Sequence, residues 1–240
     1  MWKRLRFVLG CIIVYRIGTH IPIPGIDPVR VSSLFDQNQG TILELFNLFS
    51  GGALERMSIF ALNVVPYISA AIIMQLFSNA IPYLIELKKE GQAGRNAITQ
   101  YTRYGTVALA FVQASALAVT LSSSGLAYNP GTSFFVTAVF TVVAGTVFLM
   151  WLGEQISERG IGNGISIIIA TSILTGIPGA IGQALEQARQ GDLNILMLLS
   201  IGVLAMVVIA IVVFIERGQR RITVNYAQRQ QGRRLMQAQA

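Results

Sequence analysis

Few residues in this 240-residue chain have the type and spacing that chemistry needs. His20 is the single histidine and Cys11 the single cysteine. A zinc site normally takes three or four ligands, and His20 has no Cys or His companion for one. Cys11 has no disulfide partner and lies in an apolar run, where a thiol behaves as a small hydrophobe. Ser69 and Ser166 have no histidine at helical spacing to activate them as nucleophiles. The chain contains no HExxH motif and its apolar segments no pair of aspartates, which argues against an intramembrane protease. Glycines 160, 162 and 164 alternate at the end of GEQISERGIGNG, and a glycine-rich turn opening a helix could cradle a phosphate. The dinucleotide fingerprint requires a preceding strand and a different spacing, so a tight turn that begins a helix is the better reading. No cofactor and no enzymatic activity are expected.

What remains at suggestive spacing is apolar. Val64 and Ile68 stand four residues apart, as do Ile165 and Ile169, and that interval places each pair on one face of a helix. The plain interpretation is lipid-facing surface or packed core. The sharper one is an apolar constriction that closes a path by excluding water. Periodicity does not choose between them.

The elements that would position these residues follow from composition. Hydrophobic residues make up 53% of the chain and charged residues 12%, with a mean hydropathy of +0.59. Soluble domains carry roughly 25% charged residues, so this chain has too little charge to cover a water-facing surface. A bilayer span takes about 20 apolar residues. Six such segments are expected, at Arg6–His20, Phe60–Ile81, Tyr101–Leu121, Phe134–Gly153, Gly164–Ala184 and Ile195–Ile215. The first resembles a signal peptide, with Lys3, Arg4 and Arg6 before an apolar core. It continues into His20–Asp27 without a small-residue cleavage site, so it is expected to be retained.

Charge tests this map, because lysine and arginine concentrate in cytoplasmic loops. If the spans alternate, one side receives Lys3, Arg4, Arg6, Lys88, Lys89, Arg95, Arg103, Arg159, Arg217, Arg220, Arg221, Arg229, Arg233 and Arg234. The other side receives only Arg30, Arg56 and Arg189. The amino terminus is therefore expected in the cytoplasm. Inside the spans, ionisable residues are nearly confined to Arg16, while Glu154 and Glu216 fall at the ends. This scarcity argues against a proton- or ion-coupled carrier, since intramembrane charges usually mark such pathways.

One segment does not fit a plain bundle. Gly40–Ser58 holds Ile42, Leu43, Leu45, Phe46, Leu48 and Phe49, which suit a short helix, but it is too short to cross and carries Glu44. Gly51 and Gly52 break it. It would either lie on the outer leaflet or re-enter the membrane, the latter being permitted only where it lines a cavity.

The residues at these points resemble the bacterial SecY family of protein-translocation channels. The resemblance runs through HIPIPGID from His20, FNLFSGGAL from Phe46, NVVPYISAAIIMQL from Asn63, KKEGQAGR from Lys88 and QYTRYGT from Gln100. It continues through FLMWLGEQISERGIGNGISIII from Phe148 and IERGQRRITVNYAQRQQGRR from Ile215. These motifs cover almost the whole chain, in order.

The resemblance implies an all-α integral membrane fold, a polytopic helical bundle forming the first half of a pseudo-two-fold channel plus the sixth helix. On that pattern residues 1–194 are the five-helix half, 195–216 the sixth span and 217–240 the start of a basic cytoplasmic loop. It implies a pore ring at Val64, Ile68, Ile165 and Ile169, where Val64 stands in place of the isoleucine common there. It implies a plug over roughly Thr41–Ser58, with Leu45, Phe46, Leu48, Phe49, Gly51 and Gly52, the glycines letting it swing. The second and third spans would form one side of a lateral gate for signal sequences. Lys88, Lys89, Arg95, Arg217, Arg220, Arg221, Arg229, Arg233 and Arg234 would meet the SecA motor or the ribosome, with contact to ribosomal RNA through the basic loops. Further implied partners are SecE, SecG, translocating polypeptides and membrane lipids, and the implied location is the bacterial inner membrane. Two other classes compete: a small-solute secondary transporter, with which the helix-breaking Pro66 is compatible, and a structural subunit whose basic loops bind lipid head groups.

Overall fold

The computed structural model describes residues 2–27, 30, 31, 33, 47, 50–129, 131–190, 195–218, 230, 231, 234 and 235. The chain divides into two compact units, Met1–Ala180 and Ile181–Ala240. Helix α1 spans Trp2–Gly18. An extended strap follows, in which Ile23 N–H donates to Met57 O and Ile59 N–H donates to Ile21 O. On its other edge Asp27 N–H donates to Leu126 O, and Tyr128 N–H donates to Gly25 O. Pro22 and Pro24 lack an N–H, which suits a strap that bonds through alternate residues, and a turn at Pro24–Gly25 (Gly25 φ +89°) passes it from one partner to the other.

Residues 51–64 form successive turns, and α2 begins only at Val65 (Val65–Ala80). The expected start at Phe60 is therefore corrected. Asn63 adopts φ +49° and Met57 φ +42°, left-handed values that a right-handed helix cannot include. Pro66 then sits in the first turn of α2, where its missing N–H costs nothing. Ile81 is extended (φ −92°, ψ 120°), as expected of a residue before proline, and Pro82 opens α3 (Pro82–Lys89). The two helices meet at a 94° bend. The stretch read as a loop between the second and third spans thus contains a helix.

Helix α4 covers Gln92–Ser123, α5 Thr132–Arg159, α6 Gly164–Gln190 and α7 Ile195–Glu216. Glu154–Arg159, expected as part of a loop, are the last turns of α5, and only Gly160–Asn163 make the turn. Asn163 caps α6, its Oδ1 accepting from Ile165 N–H at 3.1 Å and Ser166 N–H at 3.4 Å. Among the described residues the only strands are Gln230–Gln231 and Arg234–Leu235, an antiparallel pair in the region read as loop.

Six spans were expected. Helices α4, α5 and Leu199–Glu216 of α7 are long and apolar enough to cross a membrane, and the bent α2–α3 pair qualifies jointly. Helix α1, at 17 residues, rises about 26 Å, short of the roughly 30 Å hydrocarbon core. The described apolar stretch of α6, Gly164–Gly179, is shorter than a span and contains Pro178.

Within the first unit α2 packs on α4, α4 on α5, and α1 on α5. The buried face of α4 is a stripe of small residues at four-residue intervals: Thr102, Thr106, Ala110, Ala114 and Ala118. Small side chains let backbones approach closely where no water drives the packing. Thr102 and Thr106 return their hydroxyls to the carbonyls of Ile98 and Thr102, at 2.9 and 2.8 Å, so the stripe buries no idle donor. Two apolar clusters result. One joins the strap (Ile23, Ile26) to Leu121, Phe134 and Val142. The other joins α1 (Val8, Cys11, Tyr15) to Phe60, Val64, Leu149, Leu152, Ile156 and Ile168. In the second unit α7 is apolar but for Ser200 and Glu216, and its described side chains are exposed, the composition of a membrane span.

Arg103 Nε and Glu154 Oε1 pair at 2.7 Å between α4 and α5, with the arginine side chain 45% exposed. Water screens such a pair, so Arg103→Gln is expected to lower stability by less than about 1 kcal/mol, read by thermal unfolding in detergent.

Candidate pore constriction and the turn beside it

The four residues singled out as a ring come from segments about 100 residues apart, and the fold brings them to one apolar cluster. Val64 is a buried member of it, while Ile68, Ile165 and Ile169 pack against its edge, half-buried. Val64 is not inside the helix, as its spacing suggested. It is the cap of α2 (φ −95°, ψ 8°), and its carbonyl accepts from Ile68 N–H at 3.0 Å, which keeps the two residues stacked. On α6 the ring candidates flank Ile168, which is 1% exposed. The start of α6 lies tight against α5, because a Cβ at Gly164 would overlap the Gly153 carbonyl oxygen.

Beside the cluster lies the turn that carries Gly51 and Gly52. Both glycines are left-handed, at φ +66° and +80°. Asn47 clamps the turn, its Nδ2 donating to Glu55 Oε2 at 2.9 Å and its Oδ1 accepting from Glu55 N–H at 3.0 Å. Ser50 Oγ accepts from Leu54 N–H at 3.1 Å. A Cβ on Gly51 would meet Ser172 Cα at 3.1 Å and Ser172 O at 3.2 Å, so the turn rests directly on the α6 backbone. Leu45, Phe46, Leu48 and Phe49 lie outside the described residues.

Polar groups that sequence reasoning passed over surround the contact. Tyr15 Oη lies 2.6 Å from Ser172 Oγ and donates to Ser50 O at 3.3 Å. Asn63 Nδ2 donates to Ser172 Oγ at 3.2 Å. Arg16, noted earlier as a charge inside a span, donates from Nη1 to Gly51 O at 3.0 Å. A signal for them existed: Asn63 adjoins Val64, and Ser172 follows Ile169 by less than one helical turn. Their convergence with Tyr15 is a tertiary fact.

The basic candidates are dispersed. Lys88 and Lys89 end α3 and Arg95 lies in the first turn of α4, all exposed. Lys88 Nζ donates to Asn79 Oδ1 at 3.2 Å. Arg217 follows α7 and is exposed, and Arg234 begins the second short strand. Arg220, Arg221, Arg229 and Arg233 lie outside the described residues.

Helices of spanning length packed around an apolar cluster define a polytopic helical membrane protein. The chain belongs to the SecY family, whose profile matches residues 58–239. It is 62% identical over 239 residues to the protein translocase subunit SecY of Pseudomonas aeruginosa, covering 100% of this chain and 54% of that one. With the SecY of Escherichia coli the identity is 59% over 242 residues, covering 99% of this chain and 55% of the relative. The chain thus spans about half the length of these curated relatives. Among solved structures it is similar to Sec61 in the canine ribosome-channel complex from the endoplasmic reticulum, with a TM-score of 0.66 and 20% identity. That likeness covers 92% of this chain and 49% of the other. A second structure, described as that of a protein conducting channel, gives a TM-score of 0.63 at 20% identity, over 88% of this chain and 46% of its own. At such identities the likeness is one of fold.

Proposed function

We propose that this chain is the amino-terminal part of the pore-forming subunit of a bacterial protein translocase, which passes unfolded polypeptides across the inner membrane and releases apolar segments into lipid. The observation that carries this reading is the convergence of Val64, Ile68, Ile165 and Ile169 on one apolar cluster beside the Gly51 turn. An apolar ring makes no hydrogen bonds to a passing chain, so it holds no particular sequence, and it dewets when empty and so blocks ions. The turn at 50–57 belongs to the plug, residues 41–58. Residues 1–194 form the first half of the channel, 195–216 its sixth span and 217–240 the start of a cytoplasmic loop. The fourteen-to-three charge asymmetry supports a cytoplasmic amino terminus. Lys88, Lys89, Arg95 and the arginines from Arg217 to Arg234 then face SecA or the ribosome, and SecE and SecG complete the assembly. Such a subunit carries out no covalent chemistry, and its partners supply the energy. The family match gives no support to the solute-carrier reading.

A cysteine at Ile68, in the assembled translocase with a stalled translocating chain, is expected to crosslink to that chain. A cysteine at Val112, exposed on α4, is expected not to. Absence of any crosslink at Ile68 would remove the pore assignment.

A further inference from the structure

Two consecutive side chains of α1 hold two consecutive carbonyls of the turn. Tyr15 Oη reaches Ser50 O at 3.3 Å, and Arg16 Nη1 reaches Gly51 O at 3.0 Å. Tyr15 also lies 2.6 Å from Ser172 Oγ, which in turn lies 2.9 Å from Ile168 O and accepts from Asn63 Nδ2. Tyr15, Ser50, Asn63 and Ser172 are all buried.

Proton counting shows that these contacts cannot all be made at once. A phenol and a serine hydroxyl carry one hydrogen each. In one arrangement Tyr15 donates to Ser50 O and Ser172 donates to the Tyr15 oxygen, leaving Ile168 O to its helix. In the other, Tyr15 donates to Ser172 Oγ and Ser172 donates to Ile168 O, and the phenol lets go of Ser50. Both arrangements use both hydrogens. Breaking a buried hydrogen bond ordinarily strands a donor, and that stranded donor is the main cost. Here the phenol has a second acceptor already in place, so the turn can leave without orphaning it.

We propose that Tyr15 and Ser172 form a two-state hydroxyl catch on the turn at Ser50–Gly51, holding the plug in one state and releasing it in the other at little cost. This rests on the pore reading given above and adds a release device to it. Tyr15 and Ser172 are positioning residues, because they act on the turn and not on the translocating chain. Arg16 is a second hold, half-buried at the same edge, where water can replace the Gly51 carbonyl when the turn moves.

The catch makes an unusual demand: two substitutions at partners in one hydrogen bond must act in opposite directions. Tyr15→Phe removes the hold and keeps the ring stacked 6.0 Å from Phe60. Ser172→Ala removes the alternative acceptor and leaves the phenol hydrogen to Ser50 O. Both are read in the assembled translocase in liposomes, as the lag before translocation and the resting iodide flux. Tyr15→Phe is expected to shorten the lag and raise the flux, by less than the roughly fivefold that one ordinary net hydrogen bond represents, because the phenol's bond to Ser172 in the released state is lost as well. Ser172→Ala is expected to lengthen the lag several-fold. Ser172→Cys, of nearly the same volume but with a weak acceptor, should act in the alanine direction and serves if the alanine variant does not accumulate. Variants that shift the lag the same way, or leave it unmoved, in a translocase that otherwise works normally overturn the catch and leave the channel standing. A wild-type translocase that fails the Ile68 crosslink overturns the channel reading, and the catch with it.

Discussion

Val64→Asp is expected to make the resting channel leak ions at least tenfold faster than the wild type. Val64 is 1% exposed and packs among Phe60, Leu149 and Ile168, with the other ring candidates at the edge of the same cluster. The cluster is built of hydrophobic residues, which solvate a carboxylate poorly. An ionised group in a spanning segment costs about 2.5–3.5 kcal/mol even on the mildest insertion scale. Drawing in water is the cheapest way to solvate it, and a wetted constriction conducts. Iodide flux into liposomes holding the assembled translocase reads the effect directly. Val64→Ile, which adds one methylene and keeps the site apolar, should leave the flux unchanged. If the aspartate variant seals as well as the valine, the constriction lies elsewhere.

Gly164→Leu is expected to abolish accumulation of folded protein, a larger structural effect than any surface change. A side chain at 164 would drive into the Gly153 carbonyl, with Ile156 Cβ only 2.8 Å from the added carbon. The start of α6 would have to leave α5, taking Ile165, Ile168 and Ile169 out of the apolar cluster. Overpacking alone costs about 1–3 kcal/mol, and loss of a helix contact adds to it. Gly162 offers the matched comparison. It is left-handed at φ +71° but has nothing within 4 Å of an added Cβ. Gly162→Ala should therefore cost only the conformational term, about 1–2 kcal/mol. Protease resistance and melting temperature in detergent separate the two. Equal losses at 162 and 164 would mean that close approach of α5 and α6 is not what the glycine at 164 secures.

These two results test different kinds of knowledge. Apolar content and segment length made the long helices legible, because a bilayer demands a minimum run of apolar residues whatever the neighbours do. Helix limits near proline were partly legible: Ile81 ends α2 as its position before Pro82 requires. The start of α2 was not, because the left-handed backbone at Asn63 answers to the packing of the 51–64 turns rather than to its own side chain. The 94° turn into α3 was hidden too, since a proline marks a break without giving its angle.

The ring candidates show the limit most plainly. Spacing along the chain placed Val64 with Ile68 and Ile165 with Ile169, because periodicity reports which residues share a helix face. It carries no information about which faces meet. That Val64 stands at the cap of α2, that α6 comes close enough to join it across two glycines, and that Tyr15, Asn63 and Ser172 gather at its edge were all decided by packing. The sequence by itself determined that this chain holds several helices of spanning length joined by segments that carry most of its charge, because bilayer length and segment composition act locally. Only the tertiary structure decided which of its many isoleucines share one cluster and which buried hydroxyls share one proton count, because both depend on segments a hundred residues apart arriving within a few ångströms of each other.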